Sequence, residues 1–382
     1  NKIEIETSPV TVPGIPRYDG ALAPEFARHA ASMERVRAKR GSSWYDGSIG
    51  DPRLVSWLAT EFGDERLWSP TQLEELAKCP WAFMSKRLLR LEKREDPDED
   101  MDNSVRGIIL HAALARFYDG ALERSGKPVF LLSTDSSWAA ESMESCLDDA
   151  IADQGRAWLC HPSLRAAKRS ELIRILQGFI QWEIQLHEDM IATKTLKRNA
   201  PKMVRTGVIE NELAFDEMVF ERDGVRIRYR GTIDRVEVSV DERLGDLKMI
   251  AAADYKTTRG STPGGGDKKA WGAGVVIQVP LYAYALSRMR PDHEVARVEY
   301  LTLRKPESVL GLQLYTVDRK SEKLEPDAAA ADQWTDALKQ AIEHVKKARQ
   351  GEFPARPPET CGCPAWCHGI DICRIPRSEV GK

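Results

Sequence analysis

The sequence predicts an α/β (α+β) protein in which a central mixed sheet lies inside a largely helical shell. Helical periodicity recurs through the first half of the chain, where Leu110 and Leu114, for example, lie on one helix face. Strand-like alternation then dominates residues 203–256, and Asp223-Gly224 within this stretch is a hairpin-turn signal. Helices and strands follow in turn, so the sheet is expected to form a core among helices.

The elements are expected in a definite order, which begins with an extended, proline-rich arm over residues 1–20. Helices follow to about Leu91, and one of them has Ser69 as its N-cap and Pro70 as its first residue. After a solvated acidic loop over residues 95–100, the pattern predicts helices from Ser104 to about Arg198, strands over residues 208–215, 218–222, 225–240 and 248–256, a helix over 271–289, strands over 295–304 and 312–317, and a helix over 326–350.

These elements divide the chain into four expected regions. They are an N-terminal arm with a helical leading segment (1–68), a helical part (69–200), a sheet-containing core (201–350) and a cysteine-rich tail (351–382).

Composition excludes several classes of protein. The chain has 382 residues, and 56 basic and 59 acidic residues give a net charge of −3, so disorder is not the expected main state. The sequence contains no apolar run of about 18 residues, so no membrane span is expected, and no secretory signal opens the chain. The first residue is Asn1, so we expect a processed chain or one cut from a longer protein. The near-neutral charge still permits local basic patches, as over residues 226–235 and at Lys268-Lys269.

Two carboxylates and a lysine are expected to converge at one edge of the sheet. Asp234 lies on one strand, and Asp254 and Lys256 lie on one face of the next, antiparallel strand, with Tyr255 opposite. Mg²⁺ prefers oxygen ligands of this kind, and a neighbouring lysine can orient or activate water beside a phosphate. The alternative is an ordinary ion pair between strand charges. Because Ala251-Ala252-Ala253 predicts a buried strand, unpaired charges there would be costly, which makes a metal site as good an explanation as a surface ion pair.

These residues resemble the PD-(D/E)XK nuclease superfamily and, within it, the RecB/AddB-type exonuclease domains, to which the CRISPR-adaptation nucleases are related. The resemblance implies a restriction-endonuclease-like core in residues 201–350. Its motifs occur in the family's order: Ser69-Pro70-Thr71-Gln72-Leu73-Glu74, Cys79-Pro80-Trp81-Ala82-Phe83, Gly107-Ile108-Ile109-Leu110-His111, Gly231-Thr232-Ile233-Asp234-Arg235, Asp254-Tyr255-Lys256-Thr257 and Gln278-Val279-Pro280-Leu281-Tyr282.

The resemblance implies a Mg²⁺ or Mn²⁺ site held by His111, Asp234, Asp254 and the backbone carbonyl of Tyr255. Lys256 would then position the attacking water. By itself, His111 also fits a core histidine beside apolar neighbours, and only convergence with the two aspartates would make it a ligand.

Three further residues have both a functional and a structural interpretation. Gln278 and Tyr282 share one helix face, where they could contact a DNA phosphate near the metal or could simply pack against the sheet. Glu212 resembles the strand glutamate that often precedes the first catalytic aspartate, but an edge-strand charge explains it equally well.

The seven cysteines do not indicate a disulfide framework, because their number is odd and four lie between Cys361 and Cys373. They indicate a metal site, Zn²⁺ or an iron–sulphur cluster, in a reducing compartment, so we expect a cytoplasmic protein. The resemblance implies a 4Fe–4S cluster held by Cys79, Cys363, Cys367 and Cys373. The family's tail spacing is two then five residues, whereas here it is three then five, which leaves Cys361 as an alternative ligand. The two remaining cysteines, Cys146 and Cys160, are expected to be buried thiols.

The predicted function is therefore a metal-dependent DNA exonuclease or end-processing nuclease that acts on single-stranded or duplex ends. No phosphate-binding Gly-x-x-x-x-Gly-Lys-Ser/Thr motif is present, so we expect a separate helicase or a parent helicase chain to supply ATP-driven movement. Two alternatives belong to other classes: a catalytically idle DNA-binding scaffold that keeps the fold and the cluster, and a zinc-stabilised structural protein.

Overall fold

Six strands form the central sheet of the computed structural model, which describes residues 32, 47–91, 101, 103–155, 162–192, 205–240, 248–258, 274–317, 324–355 and 373. The strands are β1 (Leu67–Trp68), β2 (Thr206–Arg222), β3 (Val225–Ser239), β4 (Met249–Lys256), β5 (Glu294–Thr302) and β6 (Glu307–Gln313). The strand order is β1-β3-β4-β5-β6, with β2 also paired to β3. The sheet is mixed, because β3 pairs in parallel with β1, β4 pairs in parallel with β5, and the other pairs are antiparallel.

The long β2–β3 hairpin confirms the predicted turn at Asp223-Gly224. These residues have φ values of 52° and 72°, and two left-handed residues in succession are what a type I′ turn requires. The predicted strands 208–215 and 218–222 are one strand, because β2 passes through two register shifts, between Val208 and Glu210 and between Phe215 and Met218, without ending.

Helices α1 (Pro52–Glu61), α2 (Pro70–Lys78), α3 (Pro80–Phe83), α7 (Gln278–Met289) and α8 (Ala328–Arg349) pack around one apolar core. That core includes Trp68 and Tyr229 from the sheet. The predicted start of α2 is confirmed: the Ser69 hydroxyl accepts a hydrogen bond from the Gln72 N–H at 3.2 Å, and the Gln72 side chain accepts one in return.

Helices α4 (Asn103–Ser125), α5 (Ser136–Gln154) and α6 (Pro162–Ala192) pack around a second core. Strand β4 serves both cores, because Ile250 and Ala252 belong to the first while Ala253 and Tyr255 belong to the second. The sheet therefore lies between two helical layers, as a strand buried on both faces requires. Among the helices of the described residues, none is both long and apolar enough to cross a membrane.

Two predicted boundaries are wrong. Helix α7 begins at Gln278 rather than at residue 271, because Gly274 has a left-handed φ of 66° that a helix cannot contain. The predicted strand 312–317 is two strands: β6 begins earlier, at Glu307, and β7 (Tyr315–Val317) turns away to pair with β8 (Leu324–Pro326).

Candidate active site

Asp234 and Asp254 lie opposite each other on neighbouring strands. The antiparallel register pairs Arg235 with Ala253, and continuing it by one residue pairs the two aspartates. Both are buried, with 8% and 3% of their surfaces exposed. The Tyr255 N–H donates to Asp234 Oδ2 at 2.7 Å and thereby ties the two strands together at the site. The convergence predicted from the hairpin register is confirmed.

His111 reaches the same place from α4. Its Nδ1 atom lies 3.3 Å from Asp234 Oδ2, and its ring stands edge-on to the Tyr255 ring at 5.7 Å. Burial lowers the pKa of His111, but the hydrogen bond to Asp234 and the nearby carboxylates outweigh it, so the pKa is raised overall. The imidazole therefore lies in a strongly negative environment, of the kind that attracts a cation.

Glu212 is the third member of this cluster. It stands between the pairs Asn211–Arg235 and Leu213–Ile233, which puts it opposite Asp234. Its φ of 47° is left-handed, an uncommon backbone conformation for a side chain other than glycine. Burial and the charge of Asp234 raise the pKa of its carboxyl.

One ligand atom each from His111, Glu212 and Asp234 lies within 4.8 Å of the others. Imidazole and carboxylate donors at this spacing fit a divalent cation such as Mn²⁺ or Mg²⁺. The sequence left Glu212 between a functional role and a plain edge charge, and the structure groups it with the other two residues.

Asp254 contacts Lys256 and Gln278 and is not one of the three clustered ligand candidates. Lys256 forms an ion pair with Asp254 Oδ2, and Gln278 Nε2 donates to Oδ1 at 2.8 Å. Burial raises the pKa of Asp254 to about 6, although Lys256 acts in the opposite direction. The Oδ2 atom is buried, and its partner is the Lys256 ammonium. Asp254 and Lys256 therefore form a buried pair beside the three metal-ligand candidates.

Gln278, the first residue of α7, supports Asp254, and Tyr282, one turn later in the helix, supports Gln278. Gln278 Nε2 also donates to the Tyr282 hydroxyl at 2.9 Å, and its Oε1 accepts from Lys256 Nζ at 3.4 Å. A single amide side chain thus connects the aspartate, the lysine and the tyrosine, so the helix face that carries Gln278 and Tyr282 lies beside Asp254 and Lys256.

Glu74 belongs to a predicted motif, but its residue type and position predicted no role for it. It is 4% exposed, and its Oε1 accepts hydrogen bonds from the N–H groups of Ile277 and Gln278, at 3.2 and 2.9 Å. It therefore caps α7 and fixes the position of Gln278. The only signal in the sequence is an acidic residue among the apolar, inward positions of α2, between Leu73 and Leu76.

A groove of about 550 Å³ leads to the His111 and Glu212 side chains. Its walls come mainly from α4 and carry Gly107, Ile108 and Arg116. Gly107 leaves open space where a side chain would be, and Ile108 is 52% exposed. His111 and Glu212 are therefore accessible from solvent.

The protein-family model of the PD-(D/E)XK nuclease superfamily matches residues 67–374, which is more than half of the chain. The chain belongs to this superfamily. The superfamily and the α/β fold class predicted from the sequence are confirmed.

This PD-(D/E)XK chain is also similar to a curated protein of Desulforudis audaxviator (strain MP104C), which is described as a subunit of an ATP-dependent helicase/deoxyribonuclease. The two are 26% identical over 247 residues, which cover 60% of this chain and 18% of the relative. The chain therefore matches less than a fifth of that relative's length.

The predicted cluster ligands of this PD-(D/E)XK chain are only partly within the described residues, since Cys361, Cys363 and Cys367 lie outside them. Cys79 is half-buried at the junction of α2 and α3, where its Sγ accepts a hydrogen bond from the Ala82 N–H at 3.5 Å. Cys373 is also half-buried. The four-cysteine ligand set stays a prediction, as does the Tyr255 carbonyl as a metal ligand.

Proposed function

We propose that this protein is a metal-dependent deoxyribonuclease that hydrolyses phosphodiester bonds at DNA ends. The observation that carries the proposal is the meeting of His111, Glu212 and Asp234, whose ligand atoms lie within 4.8 Å, beside the Asp254–Lys256 pair. The buried carboxylates of Asp234 and Asp254, with Glu212 beside them and one ammonium, are costly to hold together unless a cation joins them. Membership of a nuclease superfamily supports the same reaction class.

The chain's own residues divide the work of hydrolysis. His111, Glu212, Asp234 and Asp254 would hold Mg²⁺ or Mn²⁺, with the Tyr255 carbonyl as a further predicted ligand. A bound divalent cation supplies a Lewis acid that polarises the phosphate and lowers the pKa of a water molecule.

Lys256 carries the positive charge nearest to Asp254. Burial lowers its pKa, but the charge and hydrogen bond of Asp254 outweigh burial, so the pKa is raised and the side chain stays an ammonium. It can orient the attacking water and offset charge that develops on the phosphate. Gln278 is itself held by Glu74 and Tyr282, and its side chain keeps the Asp254 and Lys256 side chains in position.

The substrate and the partner are inferred from the relative. Its name joins an ATP-dependent helicase to a deoxyribonuclease, which supports DNA as substrate and an ATP-driven helicase as the partner or parent of this chain. The groove beside α4 provides a path to the metal ligands for a DNA strand.

The experiment is a divalent-metal titration with end-labelled linear DNA. We expect cleavage in Mg²⁺ or Mn²⁺ and none in a chelator. Asp254→Ala or Lys256→Ala should abolish cleavage while DNA binding survives. Retained cleavage in either variant would contradict the assignment. Metal-dependent DNA binding without cleavage by the wild-type chain would instead support the idle scaffold, which the intact Asp254–Lys256 pair disfavours.

We also propose that Cys79, Cys363, Cys367 and Cys373 hold a structural 4Fe–4S cluster, with Cys361 as the alternative to Cys363. The half-buried thiol of Cys79, next to a backbone N–H donor, has the chemistry of a thiolate ligand. Anaerobic purification should yield a brown protein with visible sulphur-to-iron absorption. A colourless protein with stoichiometric zinc would overturn the cluster and favour Zn²⁺.

A further inference from the structure

A row of buried charged side chains lies on one face of the sheet, next to the metal-ligand candidates. Its members alternate in sign, and all are at most 6% exposed. Arg235 contacts Glu183 and Glu237, and Arg297 contacts Glu237 and Glu299. The Arg235–Glu237 ion pair is 2.6 Å long, and the Arg297–Glu299 ion pair is 2.8 Å long. We call this set the ion network: Glu183, Arg235, Glu237, Arg297 and Glu299.

The alanines of β4 make room for the ion network. Ala253 lies between Arg235 on β3 and Glu299 on β5, and Ala251 lies between Glu237 and Arg297. Residues paired in this way project from the same face, so larger β4 side chains would separate the charges. Arg297 Nη2 donates to Glu237 Oε2 at 3.1 Å and so spans β4.

One end of the ion network contacts the elements that carry the metal-ligand candidates. Arg235 directly follows Asp234 in β3, and its guanidinium lies over the Tyr118 ring, 4.7 Å from the centroid. Tyr118 is two turns after His111 on α4, and its hydroxyl donates to Glu183 on α6. Arg235 and Glu183 thereby tie β3, α4 and α6 together.

Tyr255 forms a second link between Arg235 and the site. Its N–H bonds Asp234, and its ring stands edge-on to both His111 and Phe179 of α6. Asp234 directly precedes Arg235 in β3, so these contacts of Tyr255 connect that part of the strand to His111 on α4 and to Phe179 on α6.

We propose that Arg235 and Glu183 are positioning residues for the metal site and hold His111 of α4 against Asp234 of β3. The proposal rests on the proposed metal-dependent function. The physical reason is that the ligands come from separate elements, so a small rotation of α4 would move His111 away from Asp234. Residues that orient ligands without touching the metal typically change affinity or activity by about 10–100-fold.

The opposite end of the ion network provides a matched control. Arg297 and Glu299 are as deeply buried as Arg235 and Glu183, and Glu299 bonds Ser308 on β6, away from α4. Removing either Arg–Glu pair deletes one positive and one negative charge, and in each case Glu237 keeps one arginine partner. A role in stability alone would make the two ends equivalent.

The experiment compares two double variants. The first carries Glu183→Met and Arg235→Met, and the second carries Arg297→Met and Glu299→Met. Replacing a buried ion pair by methionines often leaves stability near that of the parent. Mn²⁺ binding is measured without DNA, by calorimetry or by the Mn²⁺ resonance signal, and unfolding by urea is measured alongside. We expect the first double variant to bind Mn²⁺ about 10–100-fold more weakly, and the second to bind within about twofold of wild type.

Equal Mn²⁺ affinities for the two double variants would overturn the positioning role while leaving the proposed function intact. Failure of the wild-type chain to bind Mn²⁺, or undiminished binding by Asp234→Asn, would overturn the proposed function and the positioning role with it. If the first double variant does not fold, Arg235→Lys serves in its place, because it keeps the charge but cannot cover Tyr118 or bridge two glutamates. Weakened Mn²⁺ binding in folded Arg235→Lys supports the proposal, and wild-type affinity overturns it.

Discussion

The candidate metal site and the ion network are built from neighbouring residues of the same strands, yet their charges are arranged in opposite ways. In the site, Glu212, Asp234 and Asp254 gather with one ammonium, Lys256, beside them. In the ion network, each arginine lies between two glutamates. The candidate metal site therefore has an excess of negative charge, whereas the arginines of the ion network neutralise most of the charge of its glutamates.

The pKa directions follow this difference. In the site, burial and neighbouring carboxylates raise the pKa of Glu212, and burial raises that of Asp254 to about 6. In the ion network, burial acts to raise the pKa of Glu237, but Arg235 and Arg297 more than offset it and lower the pKa to about 2. Clustered carboxylates of raised pKa indicate a place for a cation, whereas a lowered pKa indicates a structural ion pair.

The largest expected effect separates activity from stability. Asp234→Asn should lower single-turnover cleavage by about a thousandfold, because a ligand charge is lost. Its stability in urea should stay near that of wild type, since relief of the repulsion with Glu212 offsets the weakened pairing with His111, and the Asn carbonyl can still accept from Tyr255. An Asp234→Asn chain that unfolds easily, or that still cleaves DNA, would remove the distinction between the two clusters.

Glu237→Ala should have the reverse outcome for stability. It leaves Arg235 and Arg297 buried with fewer partners, and breaking a buried ion pair in this way costs about 3–5 kcal/mol. Urea unfolding measures the loss. The control is Glu217→Ala, which removes an exposed ion pair with Arg228 between β2 and β3 and should leave stability near wild type. Similar losses in the two variants would contradict the importance of burial.

The free energy of unfolding should also depend on pH through the titration of Glu237. Its folded pKa of about 2 lies below the ordinary 4.5, so its contribution is present above pH about 4.5 and is lost as the pH falls towards 2. The contribution is on the order of 3 kcal/mol. Unfolding free energies of wild type and Glu237→Gln, measured from pH 7 to pH 3, should therefore converge as the pH falls. A constant difference would mean that Glu237 does not titrate in this way.

The smallest effect is expected at the edge of the site. Tyr282→Phe removes the acceptor for one of the two N–H bonds of Gln278, the other of which goes to Asp254. A loss of about 1 kcal/mol corresponds to roughly fivefold slower cleavage. Tyr284→Phe is the matched control, because that hydroxyl bonds Val219 O away from the site, and its cleavage rate should be unchanged. Equal rates for both variants would exclude a positioning role for Tyr282.

Much of the site could be predicted because its signals are short. The hairpin from β3 to β4 sets which residues oppose each other, so Asp234, Asp254 and Lys256 could be brought together from spacing alone. The same is true of Ser69 as an N-cap and of the Asp223-Gly224 turn, where backbone geometry is decided within four residues.

Other residues could not be assigned, because their partners are distant in the chain. Glu74 caps a helix whose first residue is 204 positions away, and Glu183 meets Arg235 only when α6 packs on the sheet. Glu212 joins the metal-ligand candidates through a local irregularity of β2 that leaves it in a left-handed conformation opposite Asp234. No periodicity in the sequence marks that irregularity.

The fold class, the order of the motifs and the meeting of the two aspartates at one sheet edge could be predicted from the residues alone, because these depend on local propensity and strand spacing. Which charges gather as candidate metal ligands and which neutralise one another depends on how distant helices pack against the sheet. Asp234 and Arg235 are adjacent in the chain, and the difference between them arises from what packs against each: His111 and Glu212 in one case, Glu183 and Tyr118 in the other.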